Sequence, residues 1–369
     1  MKIEYDVAVV GLGYIGLPTA IILANKNIKV LGVDINEKLL DELSSRKYVM
    51  NEPGFTDLLD SSYENGNLTF SNIPSSSSFY LIAVPTPLLK NNMPDISNVL
   101  EAINSISRLL KKGDTIIIES TCPVGTTRKI SKLLSKKRSD LKFPTEYSSD
   151  CDINLCYCPE RVIPGNILEE LVDNNRVIGG ITNECSKKGI TFYKKFVKGE
   201  CTTTTCETAE MCKLAENSFR DVNIAFANEL SMIADIHNVN VWELIEHANQ
   251  HPRVDILKPG PGVGGHCIAV DPWFLVDSCP DQSKLIFESR RVNKSKTKWV
   301  IEKIENLSKK IAKFTNYKGE IIWDKSKPDG TPKKQLNISK IKHLGWEAKI
   351  KLDFGIKKTI NEFKRTNRF

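Results

Sequence analysis

Short apolar runs separated by polar segments mark roughly the first two hundred residues of the chain. Tyr5–Val10 is rich in valine and typical of a buried parallel strand. A glycine turn follows it, and Pro18–Ala24 then predicts a helix with proline in its first turn. Ile28–Asp34 predicts the next strand, which closes on a carboxylate. The order strand, turn, helix, strand predicts a βαβ unit.

Three later segments repeat the step from an apolar run to polar or turn residues. They are Phe79–Pro87, Asp114–Thr127 and Asn154–Gly165. In open α/β sheets, residues at the carboxyl ends of the strands hold ligands. We therefore expect an α/β fold, with residues 1–150 forming a Rossmann-like, doubly wound parallel sheet and residues 151–206 closing it.

The glycine turn has the spacing of a dinucleotide fingerprint. Gly11, Gly13 and Gly16 form GxGxxG between the first strand and the helix, and Asp34 ends the next strand. Glycines allow a tight turn and close approach of a pyrophosphate to the helix N-terminus. The Asp34 carboxylate suits ribose hydroxyls and repels a 2′-phosphate, so the pattern favours NAD over NADP. The alternative is an α/β fold with an empty glycine turn.

A helix is predicted from Glu207 to about His237. Lys213 and Asn217 are four residues apart and share a face, which Arg220 joins. A helical lysine is usually solvated. Here the apolar neighbours predict a mostly buried helix, in which a lysine needs a partner or a chemical role.

The segment Gly260–Phe274 places Cys267 in a predicted loop of glycines and proline, with Asp271 four residues on. A nucleophilic cysteine is partly exposed and lies near groups that favour its thiolate. The alternative is a tight turn that contains an inert cysteine.

Composition limits the other possibilities. With 40% apolar and 26% charged residues and no apolar run of about 20 residues, the chain is expected to be soluble and cytoplasmic, with no signal peptide and no membrane partner. The ten cysteines lack zinc spacing, so free thiols and no metal are expected. Residues 301–369 hold 18 of the 52 basic residues and only 8 of the 45 acidic ones. Their lysines are dispersed, which favours a solvated surface over nucleic-acid binding.

Several motifs recur together in one family. The chain resembles the nucleotide-sugar 6-dehydrogenases of the UDP-glucose/GDP-mannose dehydrogenase family over about residues 4–300. The shared motifs are the fingerprint at Gly11–Gly16, Val84–Pro87, Glu119–Gly125, Cys158–Arg161, Lys213 with Asn217, and Gly260–Phe274. Val270 stands where family members specific for UDP-glucose typically have lysine. The resemblance is strongest to members that act on UDP-N-acetyl-D-mannosamine, with UDP-N-acetylglucosamine as the alternative substrate.

The resemblance implies two successive NAD-dependent oxidations at C6 of the sugar through a thioester on Cys267, as a step in surface polysaccharide biosynthesis. Lys213 would be the acid/base, Asn217 would stabilise developing charge, Glu160 would serve hydrolysis, and Asp271 would orient water or Lys213. Cofactor contacts would come from Gly11, Gly13, Tyr14, Ile15, Gly16, Asp34, Thr86, Thr121 and Thr127. Substrate contacts would come from Arg161, Val162, Lys213, Asn217, Arg220, His251, Arg253 and Gly264. A helical central domain, residues 207–310, would carry Lys213 and Cys267 and form a homodimer.

The chain departs from the family pattern near its end. Family members continue into a third α/β domain that carries much of the uridine diphosphate site, and this domain is expected to be missing here. The basic tail, residues 311–369, instead resembles the C-terminal end of GDP-L-fucose synthases over about residues 316–363. This change suggests a gene fusion. It leaves open a catalytically inactive remnant that binds NAD without turnover.

Overall fold

One eight-stranded sheet forms the N-terminal part of the computed structural model, which describes residues 5–145, 150–321 and 350–366. The strand order is β3-β2-β1-β4-β5-β6-β7-β8. Neighbouring strands are parallel except β6 and β7, which are antiparallel. The strands are β1 (Tyr5–Val10), β2 (Val30–Val33), β3 (Leu68–Ser71), β4 (Ser77–Ile82), β5 (Thr115–Ile118), β6 (Asn154–Tyr157), β7 (Arg176–Gly180) and β8 (Cys201–Thr205).

Both faces of the sheet are buried at β1, β2, β5 and β6, as the apolar runs predicted, whereas the edge strand β8 is largely exposed. Along β1, Val7 and Val9 belong to one apolar cluster, while Ala8 and Val10 belong to another on the opposite face. The expected doubly wound α/β architecture is confirmed, and the antiparallel β6–β7 pair is a departure from a purely parallel sheet. The accompanying helices are α1 (Gly16–Ala24), α2 (Glu37–Ser44), α3 (Phe55–Glu64), α4 (Ser97–Ile106), α5 (Thr126–Lys137), α6 (Ile167–Asp173) and α7 (Asn183–Tyr193).

The direction of the chain reverses between β1 and β4. From β1 the chain moves outward to β2 and β3, then returns to place β4 on the other side of β1. The carboxyl ends of β1 and β4 therefore open a crevice at which α/β proteins bind ligands. The glycine turn follows β1 directly, so the fold places it at this crevice.

Helices follow the sheet. The helix α8 (Cys206–Ile236) begins directly after β8, and Thr205 caps it by accepting a hydrogen bond from the backbone N–H of Thr208 at 3.2 Å. The later helices are α9 (Val241–Ala248), α10 (His266–Val270), α11 (Pro272–Ser278), α12 (Lys284–Thr315) and α13 (Leu352–Arg365). Beyond β8, the described residues contain no further strand.

The expectation of a mostly buried α8 is wrong for one face of the helix. Leu214 and Ile224 are buried, whereas Phe226 is 56% exposed and Ile233 is 45% exposed. Met211 and Phe219, in the first half of the helix, are 52% and 72% exposed as well. An apolar face of α8 is consequently left open to solvent.

The chain consists of two compact units. The first holds the residues up to Pro259 together with Val263–Asn293, and the second holds Gly260–Gly262 and the residues from Lys294 onward. Within the second unit, Lys310 pairs with Asp353 at 3.1 Å, and the Lys357 ammonium lies 4.9 Å from the centre of the Phe314 ring. The boundaries expected from the sequence at residues 150, 206 and 310 remain predictions.

The resemblance of the tail and the absence of a membrane-spanning segment are the remaining expectations for the chain. The tail resemblance falls largely on residues 322–349, which lie outside the described residues. Among the helices that are described, none combines the length and the apolar character that crossing a bilayer requires.

Candidate active site

The glycine turn after β1 is closed tightly by the backbone around it. At Gly11, which has a φ of +97°, a Cβ atom would lie 2.6 Å from the carbonyl oxygen of Ala83. At Gly16 it would lie 1.9 Å from the carbonyl oxygen of Gly11. Gly13 has open space around the same position. Only glycine fits at Gly11 and Gly16, whereas the open space at Gly13 leaves room beside the turn for a ligand.

The Asp34 carboxylate is held at the end of β2 beside this turn. One of its oxygens accepts a hydrogen bond from the backbone N–H of Leu12 at 2.8 Å, and the other accepts from that of Asn36 at 2.9 Å. The side chain is half-buried and fixed from two sides. A dinucleotide fits this arrangement, since the turn takes a pyrophosphate and the fixed carboxylate accepts ribose hydroxyls.

The remaining residues expected at the cofactor occupy different environments. Tyr14 is 43% exposed and donates its hydroxyl to Glu52 at 2.5 Å. Ile15 precedes α1 as its N-cap residue. Thr86 and Thr121 lie on neighbouring loops, and Ser120 joins these loops by donating its hydroxyl to the carbonyl of Val84 at 2.8 Å.

Thr127 differs from these because none of its side chain is exposed to solvent. It is fully buried and donates its hydroxyl to Glu210 at 2.6 Å. Glu210, itself fully buried on α8, also accepts from the backbone N–H groups of Gly125 and Thr127 at 2.6 and 2.8 Å. The sequence did not single out Glu210, although it lies in the same helix as Lys213. Its carboxylate caps α5 and joins that helix to α8.

The loop after β6 is attached to α8 at two points. Lys213 donates from its Nζ to the backbone carbonyl of Glu160 at 2.5 Å. One residue along the loop, Arg161 forms an ion pair with Glu216 of α8 at 2.5 Å. Val162 packs partly against the sheet core. These contacts bring Glu160, Arg161 and Lys213 together.

The Glu160 carboxylate points into the protein and has a partner there that the sequence did not predict. It is 6% exposed and pairs with Arg176 of β7 at 2.6 Å, while its second oxygen accepts from the backbone N–H of Arg161 at 2.6 Å. Arg176 is 1% exposed and lies over the ring of Tyr193, whose hydroxyl donates to Glu119 at 2.6 Å. Glu119 lies within the Glu119–Gly125 motif, but only the fold reveals this buried network.

Burial raises the pKa of Glu119 to about 7, and the negative charge of Glu160 contributes to the increase. Arg176 and the Tyr193 hydroxyl oppose it. The second carboxylate oxygen of Glu119 is buried and has no hydrogen-bond partner among the described residues. Glu119 is therefore a carboxyl group that protonates near neutral pH.

Asn217 connects the lysine face of α8 to the cysteine segment. Its side-chain amide donates to the Asp271 carboxylate at 2.5 Å. Asp271 is 2% exposed and ends α10, whose second residue is Cys267. Cys267 thus lies in a short helix rather than in the expected loop. Gly265, with a φ of −172°, is extended and starts the helix directly before His266.

The charges at this site act on both Asp271 and Cys267. Burial raises the pKa of Asp271, while Asn217, Lys213 and His266 lower it. Cys267 is exposed, but partial desolvation of its thiol raises its pKa, and the Asp271 carboxylate raises it further. The Lys213 ammonium acts in the opposite direction and favours the thiolate. Cys267, Asp271 and Lys213 therefore lie within electrostatic reach of one another.

The other residues expected at the substrate lie on the surface. Arg220 is exposed on α8, and His251 and Arg253 are exposed after α9. The backbone N–H of Arg253 donates to Nδ1 of His251 at 3.3 Å. Gly264 has a left-handed φ of +75° three residues before Cys267. In the part of the chain that the structure describes, no cluster of three or more metal-ligating side chains is present.

Sequence comparison assigns both parts of the site to one family. The NAD-binding domain of the UDP-glucose/GDP-mannose dehydrogenase family matches residues 5–197, and the central domain of that family matches residues 207–295. The chain is 50% identical over 305 residues to the NDP-N-acetyl-D-galactosaminuronic acid dehydrogenase of Ralstonia nicotianae, covering 83% of this chain and 72% of that protein. It is also 50% identical over 306 residues to the UDP-N-acetyl-D-mannosamine dehydrogenase of Campylobacter jejuni, covering 83% and 75%.

Structural comparison gives the same assignment. The UDP-D-ManNAc dehydrogenase of Pyrococcus horikoshii superposes with a TM-score of 0.77 at 38% identity, covering 84% of this chain and 72% of that one. Identity at this level over most of the chain, together with the glycine turn and fixed carboxylate that fit NAD, establishes the family. The chain belongs to the UDP-glucose/GDP-mannose dehydrogenase family and is an NAD-dependent nucleotide-sugar dehydrogenase.

Proposed function

We propose that the protein oxidises UDP-N-acetyl-D-mannosamine at C6 to the uronate in two steps, for surface polysaccharide biosynthesis. The observation that carries the proposal is the assembly at α8: Lys213 and Asn217 lie on one face, and Asn217 bonds the carboxylate four residues after Cys267. Oxidation of an alcohol through a thioester requires an acid/base, an amide donor and a thiol in the same site.

The first oxidation converts the C6 alcohol to an aldehyde. When bound, NAD would accept the hydride that leaves C6. Lys213 takes the hydroxyl proton as the hydride leaves, and it stabilises charge on the C6 oxygen together with Asn217. Its Nζ is held by the Glu160 carbonyl, so it does not have to be ordered when the sugar binds.

The second oxidation uses Cys267. Its thiolate forms an S–C6 bond to the aldehyde, and the carbonyl electron pair moves to oxygen, which takes a proton from Lys213. Lys213 then takes back the O6 proton as the second hydride passes to a second NAD, and a thioester remains. A covalent anchor keeps the aldehyde in the site between the two oxidations. Lys213 favours the thiolate that this step needs, since its charge lowers the pKa of Cys267.

Hydrolysis completes the reaction. Water forms a bond to C6, the C6–S bond breaks, and Cys267 recovers its thiol. We propose that Glu160 serves this step by holding Lys213 with its backbone carbonyl, because its carboxylate is paired with the buried Arg176. Asp271 is assigned to orienting water or Lys213, as the family resemblance implies. Arg161, Val162, Arg220, His251, Arg253 and Gly264 are the proposed sugar-nucleotide contacts, and Tyr14, Ile15, Thr86, Thr121 and Thr127 are the proposed cofactor contacts.

A homodimer through α8 is part of the proposal. Phe219, Phe226 and Ile233 recur every seven residues along the helix and are 72%, 56% and 45% exposed. Residues seven apart lie on one helical face, so they form a continuous apolar stripe. A second copy of α8 would bury this stripe, which supports the dimer.

The test is a count of NADH formed per sugar consumed. Purified protein is given NAD with UDP-N-acetylmannosamine, UDP-N-acetylglucosamine or UDP-N-acetylgalactosamine in separate reactions. The proposal expects two NADH per UDP-N-acetylmannosamine. Two NADH from the glucosamine epimer alone would support that alternative substrate, and preference for the galactosamine epimer would favour the activity named for the Ralstonia relative. NAD binding without turnover of any sugar would contradict the proposal and favour the inactive alternative.

A further inference from the structure

Glu52 connects two loops of the first unit that are far apart in the sequence. It precedes α3, is 7% exposed and bears a carboxylate with three donors. One oxygen accepts from the Tyr14 hydroxyl at 2.5 Å and from the backbone N–H of Gly165 at 2.7 Å. The other accepts from the backbone N–H of Ile167 at 3.3 Å. The glycine turn and the start of α6 therefore meet on one side chain.

The three donors satisfy a charge that would otherwise be costly to bury. Burial opposes the charged form of Glu52, but the hydrogen bonds from Tyr14, Gly165 and Ile167 outweigh it and lower the pKa of this carboxyl. The same contact and burial raise the pKa of Tyr14 to about 12, so its hydroxyl stays protonated and donates. The bridge is consequently intact throughout the neutral pH range.

The two loops joined by Glu52 have different proposed tasks. Tyr14 lies in the turn that takes the cofactor, and Gly165 ends the loop that begins with Glu160 and Arg161. We propose that Glu52 is a positioning residue that fixes the cofactor turn against the substrate loop through Tyr14. This inference rests on the proposed function, because it assigns one loop to NAD and the other to the nucleotide sugar.

The consequence is a preformed geometry for both ligands. A loop held by a buried, charge-assisted hydrogen bond loses less freedom when a ligand binds. Without the Glu52 carboxylate, the backbone N–H groups of Gly165 and Ile167 and the Tyr14 hydroxyl lose their common acceptor. Each ligand then has to order its loop at the expense of its own binding energy.

The test measures NAD affinity directly, by titration calorimetry on the full chain without sugar. Glu52→Gln is expected to weaken NAD binding about tenfold, because an amide cannot accept from all three donors. Tyr14→Phe, which removes one donor and no bulk, is expected to weaken it about threefold. The double variant should bind no more weakly than Glu52→Gln, because both changes remove the same link. The matched control is Tyr63→Phe, which deletes a hydroxyl that donates to Leu43 at 2.6 Å in the same unit.

The outcomes separate positioning from general destabilisation. Tyr14→Phe with an unchanged NAD affinity would overturn the proposal, even if Glu52→Gln fails to fold. Additive effects of the two changes, or equal weakening by Tyr63→Phe, would also overturn it. In turnover, Glu52→Gln should raise the KM for the UDP-sugar more than it lowers kcat. If the wild-type protein oxidises no UDP-sugar, the proposed function fails, while the NAD titrations still decide the role of Glu52.

Discussion

Lys213 and Glu160, 53 residues apart in sequence, meet through a hydrogen bond of 2.5 Å from the lysine Nζ to the glutamate backbone carbonyl. The side chain of Glu160 faces the opposite way, toward Arg176. One residue thus fixes the lysine with its backbone and anchors its own loop with its carboxylate. The position of the proposed acid/base depends on a buried ion pair that lies behind it.

The first prediction concerns the nucleophile. Cys267→Ser should lower the rate of uronate formation at least about a thousandfold and leave at most one NADH per sugar, because the second oxidation needs the thiol and serine is a far weaker nucleophile without an activating base. The measurement is NADH absorbance with UDP-N-acetylmannosamine. Cys279→Ser is the matched control, since Cys279 is also exposed and lies outside the site. Equal loss of activity in both variants would contradict the assignment of Cys267.

The second prediction concerns the charges around that thiol. The Asp271 carboxylate raises the pKa of Cys267, so Asp271→Asn should shift the alkylation of Cys267 by iodoacetamide to lower pH. Lys213 lowers the same pKa, so Lys213→Met should shift it to higher pH. Mass spectrometry of the peptide that carries Cys267 gives the extent of modification at each pH. Shifts in the same direction would exclude these electrostatic effects.

The third prediction concerns the buried pair behind the lysine. Arg176→Met should lower the free energy of unfolding by about 3–5 kcal/mol, because it leaves the Glu160 carboxylate buried without its partner. The double variant with Glu160→Gln should recover part of this loss. Urea denaturation measures both. Lys38→Met is the control, because its pair with Glu42 at 3.8 Å is exposed and contributes about 0–1 kcal/mol.

The fourth prediction concerns pH and stability. Glu119 has an ordinary pKa of 4.5 and a folded pKa of about 7, so the folded state binds its proton more tightly than the unfolded state does. Its contribution to stability is full below pH 4.5 and is lost as the pH rises through about 7. Glu119→Gln removes this loss. The free energy of unfolding of the variant minus that of the wild type should therefore be larger at pH 8 than at pH 5, by up to about 3 kcal/mol.

The measurement is the free energy of unfolding in urea at both pH values. Glu101→Gln, at an exposed position of α4, should show no such pH-dependent difference. A difference between Glu119→Gln and wild type that is the same at pH 5 and pH 8 would show that Glu119 does not titrate with a raised pKa.

The fifth prediction concerns assembly. Phe226→Glu places a charge in the apolar stripe of α8 and should convert a dimer to a monomer in light scattering after size exclusion. Ile73→Glu changes a residue that is 68% exposed and follows β3, at the opposite end of the sheet from β8 and α8, so it should leave the assembly unchanged. A wild-type protein that is monomeric at micromolar concentration would refute the proposed dimer.

The sequence by itself determined the features that depend on short-range spacing. The strand, glycine turn and helix from Tyr5 to Ala24 follow from local sterics and an apolar period, and the structure confirms them. The shared face of Lys213 and Asn217 follows from the helical repeat alone. The family motifs extended this to the family and its cofactor, because the residues of each motif lie close together in the sequence.

Tertiary structure alone decided what depends on distant segments. Asn217 meets Asp271 across 54 residues, Glu52 meets Gly165 across 113, and neither separation can be read as a distance before the chain is folded. The raised pKa of Glu119 and the open apolar face of α8 have the same origin. Burial and exposure are set by which remote elements cover a residue, and in this protein that is fixed by the strand order and the path of one long helix.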